Sequence, residues 1–485
     1  MAVTHLSRPA KPQKRRVSAV AFLALVTAAS VSLLSLAIAL GHKSLASLQL
    51  PPHLGAIPTA ASLFDTISPQ SDSTRIKPGF AGCLLVKDVN HWLPEWIAYH
   101  HLFLPLTELI VAVDPHSIQS PLPILERFNT TLPSLHIDMW YDDDYISPKQ
   151  LKNIPHYPPK GAPPDLWTDM IRERYLFRQN WFLSKCLSEI QQRNRTEWVL
   201  LHDADEFVVF NRHGSKVWKK ELMPQYGEGT LLGYISASQN DEASPFHKPE
   251  TCIPMPRLLF GSMESSSEQV HANVPTGFDA RNFATLRYRH HVDQNDVRAS
   301  GFVKPLINVD RSPTTGGFHV EPARDPHCPY PKPGICSSFN IMQHINSDWS
   351  VHESPLVMNH YVGSWESFAF GRKWFLERFN ETKDVTGGVS DEIRPWLAAF
   401  VNQVGLENAK HLLQESGDVN HDNGELDDAR LGKPYEISNV PLEKVLAEVK
   451  AKKEAAAKRS VKLITKGNIG VGDFKKLLRV NNEKM

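Results

Sequence analysis

Asp203 and Asp205 stand one residue apart, just after the apolar run Trp198-Val-Leu-Leu201 and before Glu206-Phe207. Two carboxylates at that spacing can aim at one point. Hard divalent cations such as Mn2+ or Mg2+ take oxygen ligands. A cation held there would act as a Lewis acid on a leaving diphosphate, which is what sugar transfer from a nucleotide diphosphate requires. Chance supplies about one Asp-x-Asp match in a chain of this length, and Asp142-Asp-Asp144 matches too. Setting separates the two. Ligands of parallel α/β sheets bind outside the carboxyl ends of strands, and Trp198–Leu201 delivers Asp203 to such an end. Asp142 begins a polar run leading into a Pro-rich loop, from which Asp144 alone could approach the site.

The elements that must position these groups follow from the apolar pattern. Gly82–Val86, Thr107–Val113, Leu135–Trp140 and Glu197–His202 read as buried strands. Trp92–Phe103 reads as a helix with Pro94 in its first turn. In Asp169–Gln192, Met170, Ile171, Tyr175, Phe182, Cys186 and Ile190 recur at helical spacing. Strands alternating with helices predict a largely parallel sheet with helices on its faces. Beyond Asn211 the pattern turns irregular. Leu442–Arg459 is a strong helix former of mixed charge, expected as a solvated helix or loose end.

Val17–Leu40 carries no charge. As a helix it would span ~36 Å, enough for a hydrocarbon core of ~30 Å. Lys11, Lys14, Arg15 and Arg16 precede it, which keeps the tail cytosolic and sends the remainder into the lumen. The expected organisation is a cytosolic tail (1–16), a transmembrane signal anchor (17–40), a stem (41–77), a lumenal domain (78–400) and a C-terminal helical extension (401–485). Three sequons, at Asn129, Asn194 and Asn380, all lie on the lumenal side. None of the five cysteines forms a Cys-x-x-Cys pair, which argues against a zinc ribbon. Cys328 and Cys336 flank a Pro-rich turn and are placed to pair; Cys83 and Cys186 are expected as buried thiols. Hydrophobic residues at 41% support a packed core, and zero net charge argues against a nucleic-acid partner.

Six ordered segments carry a resemblance. They are Lys87-Asp-Val-Asn-His-Trp-Leu-Pro-Glu-Trp-Ile-Ala-Tyr-His100, Gln179–Leu187, Trp198–Phe207, Phe260-Gly-Ser262, Gly301-Phe-Val-Lys-Pro305 with His319, and Asn359-His-Tyr361 with Ser364. Together they resemble glycosyltransferase family 92 over about Phe80 to Lys373. The resemblance implies a GT-A fold, in which a nucleotide-binding α/β domain is fused to an acceptor-binding half. It also implies an inverting reaction and a single-pass type II protein of the Golgi. Galactose from UDP-galactose is the implied donor, and a glycan or polysaccharide the implied acceptor. The membrane, through one helix, and a second copy in a homodimer complete the expected partners.

Roles follow on that basis. Asp203 and Asp205 hold Mn2+ or Mg2+, Glu206 orients the loop, and His319, in preference to His360, completes the metal shell. Lys87, Asp88 and Asp114 face the nucleotide, with Asp114 on uracil or ribose, and Lys304 contacts the diphosphate. Glu264 is the chosen base among Asp241, Glu242, Glu264 and Asp293. Trp349, Trp365 and Trp374 serve the core or stack on acceptor sugars. The competing expectation is a non-catalytic lumenal carbohydrate-binding protein of the same fold. A phosphotransferase would want a Gly-rich phosphate loop, and none is evident.

Overall fold

The computed structural model describes residues 77, 79–214, 217–247, 252–264, 274–293, 303–311, 354–364, 387–417 and 437–466. The chain divides into two units, Met1–Ser73 and Thr74–Met485, and every described residue belongs to the second. The expected anchor at 17–40 lies outside the described residues. Among those described, no helix is long and apolar enough to cross a membrane.

The order of elements is β1 (Phe80–Val86), α1 (Leu93–Phe103), β2 (Leu106–Val113), α2 (Leu122–Thr131), β3 (His136–Trp140), α3 (Pro164–Arg193), β4 (Trp198–Leu201) and β5 (Glu206–Phe210). Then come α4 (Leu231–Ser238), β6 (Cys252–Phe260), β7 (His290–His291), β8 (Val303–Asn308), β9 (Leu356–Tyr361), β10 (Gly388–Val389), α5 (Trp396–Val404), α6 (Leu406–Leu413) and α7 (Leu442–Lys466). The strands form a curled, open sheet in the order β10-β7-β6-β8-β4-β1-β2-β3, with β9 on β6 and β5 on β9.

The expectation of a largely parallel sheet holds for one half only. β4, β1, β2 and β3 are parallel neighbours. There each successive strand is reached through a helix, and a parallel return needs such a crossover. Beyond β4 the ladders β4–β8, β8–β6, β6–β7 and β5–β9 are antiparallel, and only β6–β9 is parallel.

β1 is buried along its whole length because both its faces are covered. Its residues alternate between two cores. Phe80, Leu84 and Val86 face the core containing α1, whereas Ala81, Cys83 and Leu85 face α3. Gly82 admits Trp96 of α1: a Cβ there would lie 3.3 Å from the indole ring. On the other face, Cys83 and Cys186 are joined in a disulfide. This corrects their reading as buried thiols: the alternation of β1 and the helical period of α3 turn both sulfurs into one interface. Cys252 is disulfide-bonded as well. The expected Cys328–Cys336 pairing falls outside the described residues.

The boundary expected at residue 400 falls within α5, whose Trp396, Leu397 and Phe400 belong to the main core. α7 is anchored at its start rather than loose. Val445 packs with Leu166 and Met170 of α3, and Ser438 N–H donates to the Pro158 carbonyl at 3.0 Å.

Candidate functional site

β5 starts where β4 ends, after the turn His202–Asp205. One of its edges is laddered to β9, with Glu206 opposite His360. Side chains of α1 bind its other edge. Trp96 Nε1 donates to the Glu206 carbonyl at 2.9 Å, and Tyr99 Oη donates to that of Val208 at 2.7 Å. Val208 N–H donates to His100 Nε2 at 3.3 Å. His100 Nδ1 therefore carries the proton and faces the Trp96 carbonyl at 2.9 Å. Burial lowers the pKa of His100 to about 3, so the ring stays neutral. Trp96, Tyr99 and His100 thus fix the strand that opens with Glu206.

Around that opening four charged groups converge. Lys304 Nζ lies 3.0 Å from Asp203 Oδ2 and 2.9 Å from Glu206 Oε2. Gln179 Nε2, reaching over from α3, donates to Asp203 Oδ1 at 2.9 Å. Glu206 Oε2 also accepts the Asp203 N–H at 3.0 Å, so its side chain orients the turn as expected. His360 Nε2 lies 3.5 Å from Asp205 Oδ2, and its Nδ1 lies 3.5 Å from Arg257. Burial above all, then Asp203 and Asp205, raise the pKa of Glu206 against the pull of Lys304. For Lys304, burial favours the neutral amine, but Asp203 and Glu206 outweigh it and hold the ammonium.

Ligand atoms of Asp205, Glu206 and His360 lie within 4.8 Å of one another. Two oxygens and an imidazole nitrogen suit a divalent cation such as Mn2+. The pair singled out by sequence is therefore split by geometry. Asp205 belongs to the three-residue cluster, whereas Asp203 is engaged by Gln179 and Lys304. Lys304 sits between two carboxylates, beside the cluster. His319 lies outside the described residues; the histidine of the cluster is His360. Glu206 was expected only as a loop residue; the register of β5 on β9 adds it to the cluster.

The nucleotide-side candidates lie along the same sheet edge. Asp88, in a left-handed conformation at φ 53°, accepts the N–H groups of Ile118 (2.6 Å) and Gln119 (3.1 Å). Burial raises its pKa to about 6 despite those bonds. Asp114 Oδ1 accepts both the N–H (2.8 Å) and Nδ1 (3.0 Å) of His116. Burial alone would raise the Asp114 carboxyl, but the His116 bond and the charges of Arg178, His116 and Lys87 hold it at about 2. Burial also lowers the pKa of Lys87, against the pull of Asp114 and Asp88. Both aspartates thus shape the loop after β2.

Sequence reasoning missed the basic face of α3. Arg174 lies 3.5 Å over the Tyr157 ring, and the Tyr157 hydroxyl meets His116 Nε2 at 2.9 Å. Arg178 Nε holds Asp142 at 3.0 Å. Asp144 instead accepts the Tyr141 N–H at 2.7 Å. The available signal was Arg174 and Arg178 at i, i+4 on the stripe that must face the sheet.

Glu264 lies at the other end of the edge, beyond β6. It pairs with Arg287, and its backbone bridges Tyr288. Arg287 and Tyr288 line a cleft with His91, Trp92, Glu95 and Ser364. Ser364 follows His360 by four residues, so at ~3.6 Å per residue the cleft wall is within ~14 Å of the cluster. Of the other base candidates, Asp241 pairs with Lys219, and Glu242 and Asp293 are exposed, as Glu264 is. Trp349, Trp365 and Trp374 lie outside the described residues.

The chain was compared with protein-family models and with curated proteins, and it matches none of them.

Proposed function

We propose that the protein is a metal-dependent inverting glycosyltransferase of GT-A type, lumenal in the Golgi and anchored by residues 17–40. It transfers a hexose, galactose from UDP-galactose, to a hydroxyl of a glycan acceptor. The observation that carries this reading is the convergence of Asp205, Glu206 and His360 within 4.8 Å at the carboxyl edge of the sheet, beside Asp203 held by Lys304. A disulfide at Cys83–Cys186 accords with an oxidising lumen.

Asp205, Glu206 and His360 hold the divalent cation. Bound there, it supplies Lewis-acid neutralisation of the departing diphosphate. His360 would hold the cation through Nε2, the ring atom facing Asp205, as a neutral imidazole with its proton on Nδ1, so metal binding would weaken in acid. Lys304, Lys87, Arg174 and Arg178 bring positive charge to the donor side. Glu264, held by Arg287, takes the proton of the acceptor hydroxyl as that oxygen attacks the anomeric carbon from the face opposite the diphosphate.

The test is thermal stabilisation by UDP with Mn2+, together with release of UDP from UDP-galactose. Wild type responds in both; Asp205→Asn and His360→Ala respond in neither. No stabilisation by any nucleoside diphosphate with Mn2+ would leave the non-catalytic reading in its place.

A further inference from the structure

Asn129 and Asn194 each begin an Asn-x-Thr sequon, and both are exposed. Asn129 lies in the last turn of α2. Asn194 caps α3 in the left-handed conformation, at φ 53°, which asparagine tolerates better than most residues. The third sequon, at Asn380, lies outside the described residues.

The two carboxamides are oriented alike. Asn129 Oδ1 accepts the N–H of Ile137 at 3.2 Å, and Asn194 Oδ1 accepts from Lys77 Nζ. A backbone N–H and an ammonium can only donate, so each fixes the carboxamide with oxygen inward. Among the described residues neither Nδ2 donates a hydrogen bond. In both places the nitrogen that glycosylation uses is left to solvent, while the oxygen that it spares ties the side chain down.

Both asparagines also lie on one edge of the sheet. Asn194 and Lys77 sit beside the start of β1, and Ile137 is the second residue of β3. The candidate metal cluster lies at the opposite edge. Seven residues of β1 separate the edges, about 20 Å at ~3.3 Å per residue. An oligosaccharide at either position projects away from the cluster and from the loop after β2.

We propose that Asn129 and Asn194 both carry N-linked oligosaccharides. In the transfer, Nδ2 bonds to the anomeric carbon of a lipid diphosphate-linked oligosaccharide. That carbon's bond to the diphosphate oxygen breaks, and the lipid diphosphate leaves with the amide proton. Thr196 of the second sequon is only 1% exposed, so Asn194 is modified on the nascent chain, before its threonine is covered. The proposal rests on the lumenal topology expected from residues 1–40 and is independent of the transferase reading.

The experiment expresses the full chain in cultured eukaryotic cells, with Asn129→Gln, Asn194→Gln and the double variant, each in an Asn380→Gln background. Enzymatic deglycosylation should shift the background chain by two glycan steps on a denaturing gel. Each single variant should lose one step and the double variant both. Amidase release in heavy-oxygen water should convert Asn129 and Asn194 to isotopically marked Asp in the wild type, a readout that does not depend on a variant folding. Stabilisation by Mn2+ should be the same with and without the glycans. Absence of the mark from either asparagine overturns the proposal for that site. Thiol labelling of the denatured chain without reductant then separates the causes: blocked Cys83 and Cys186 mean a skipped sequon in a lumenal chain, and labelled thiols mean that the topology itself is wrong.

Discussion

Two tryptophans test whether α1 truly closes the open edge of β5. Trp96 and Trp198 are both fully buried in the main core. They differ in one respect. Trp96 Nε1 donates to the Glu206 carbonyl, whereas Trp198 Nε1 has no hydrogen-bond partner among the described residues. Replacement by Phe removes similar volume from each, at about 1–2 kcal/mol for the partial cavity. Trp96→Phe also strips a buried carbonyl of its donor, for about 1–3 kcal/mol more. Trp198→Phe removes an uncompensated buried donor and recovers a similar amount. Trp96→Phe is therefore expected to destabilise the fold by about 3 kcal/mol more than Trp198→Phe. Urea unfolding of the two variants, at one pH and with equal m-values, measures that gap. A gap below about 1 kcal/mol, or one of opposite sign, would refute the account of β5's edge.

Two further outcomes follow from the geometry. Glu95 is fully buried, accepts from Ala284 N–H, Thr285 N–H and Thr285 Oγ1, and has its pKa raised by burial from 4.5 to about 7. The folded state thus binds its proton more tightly than the unfolded chain. Its stabilising contribution is full below pH 4.5, falls as pH rises through the window to about 7, and is then flat; the loss is about 3 kcal/mol. Between about pH 5 and pH 8 the wild type should lose about 3 kcal/mol more unfolding free energy than Glu95→Gln; parallel behaviour of the two would refute the assignment to Glu95. Val445→Asp puts a charge against Leu166 and Met170 and should release α7 from the loop carrying Tyr157. Calorimetry should find UDP binding about 5–10-fold weaker, a cost near 1 kcal/mol, with Mn2+ binding unchanged; equal weakening of both would show a global effect instead.

What could be read from the sequence was local. β1, β2 and β4 announce themselves as short apolar runs, and α1 and α3 by apolar residues at helical spacing. α3 begins at Pro164, earlier than its apolar stripe, because proline suits the first helical turn. β6, β8 and β9 were not legible, since their pairing joins distant segments whose register no local period encodes. The site divides in the same way. Asp203 and Asp205 were visible from a strand end beside them. The association of Asp205 with Glu206 and His360 depends on the β5–β9 ladder, and Cys83 with Cys186 depends on β1 lying under α3.

In α1, Trp96, Tyr99 and His100 act together on the free edge of β5. An edge strand exposes unpaired donors and acceptors. Among the described residues β5 pairs with β9 on one side, and α1 lies along the other. The solution is a row of side chains matched to the strand: an indole N–H for the Glu206 carbonyl, a phenol for that of Val208, and a neutral imidazole for the Val208 N–H. Donor and acceptor are not interchangeable in that row. A protonated His100 has no lone pair to offer Val208, and its burial keeps it neutral. Because the row ends on Glu206, the residue that also accepts from Lys304 and from Asp203 N–H, its order is transmitted to the cluster. A carboxylate fixed by two partners would need little rearrangement to accept the proposed cation, as a supporting shell gives a binding site its geometry in advance.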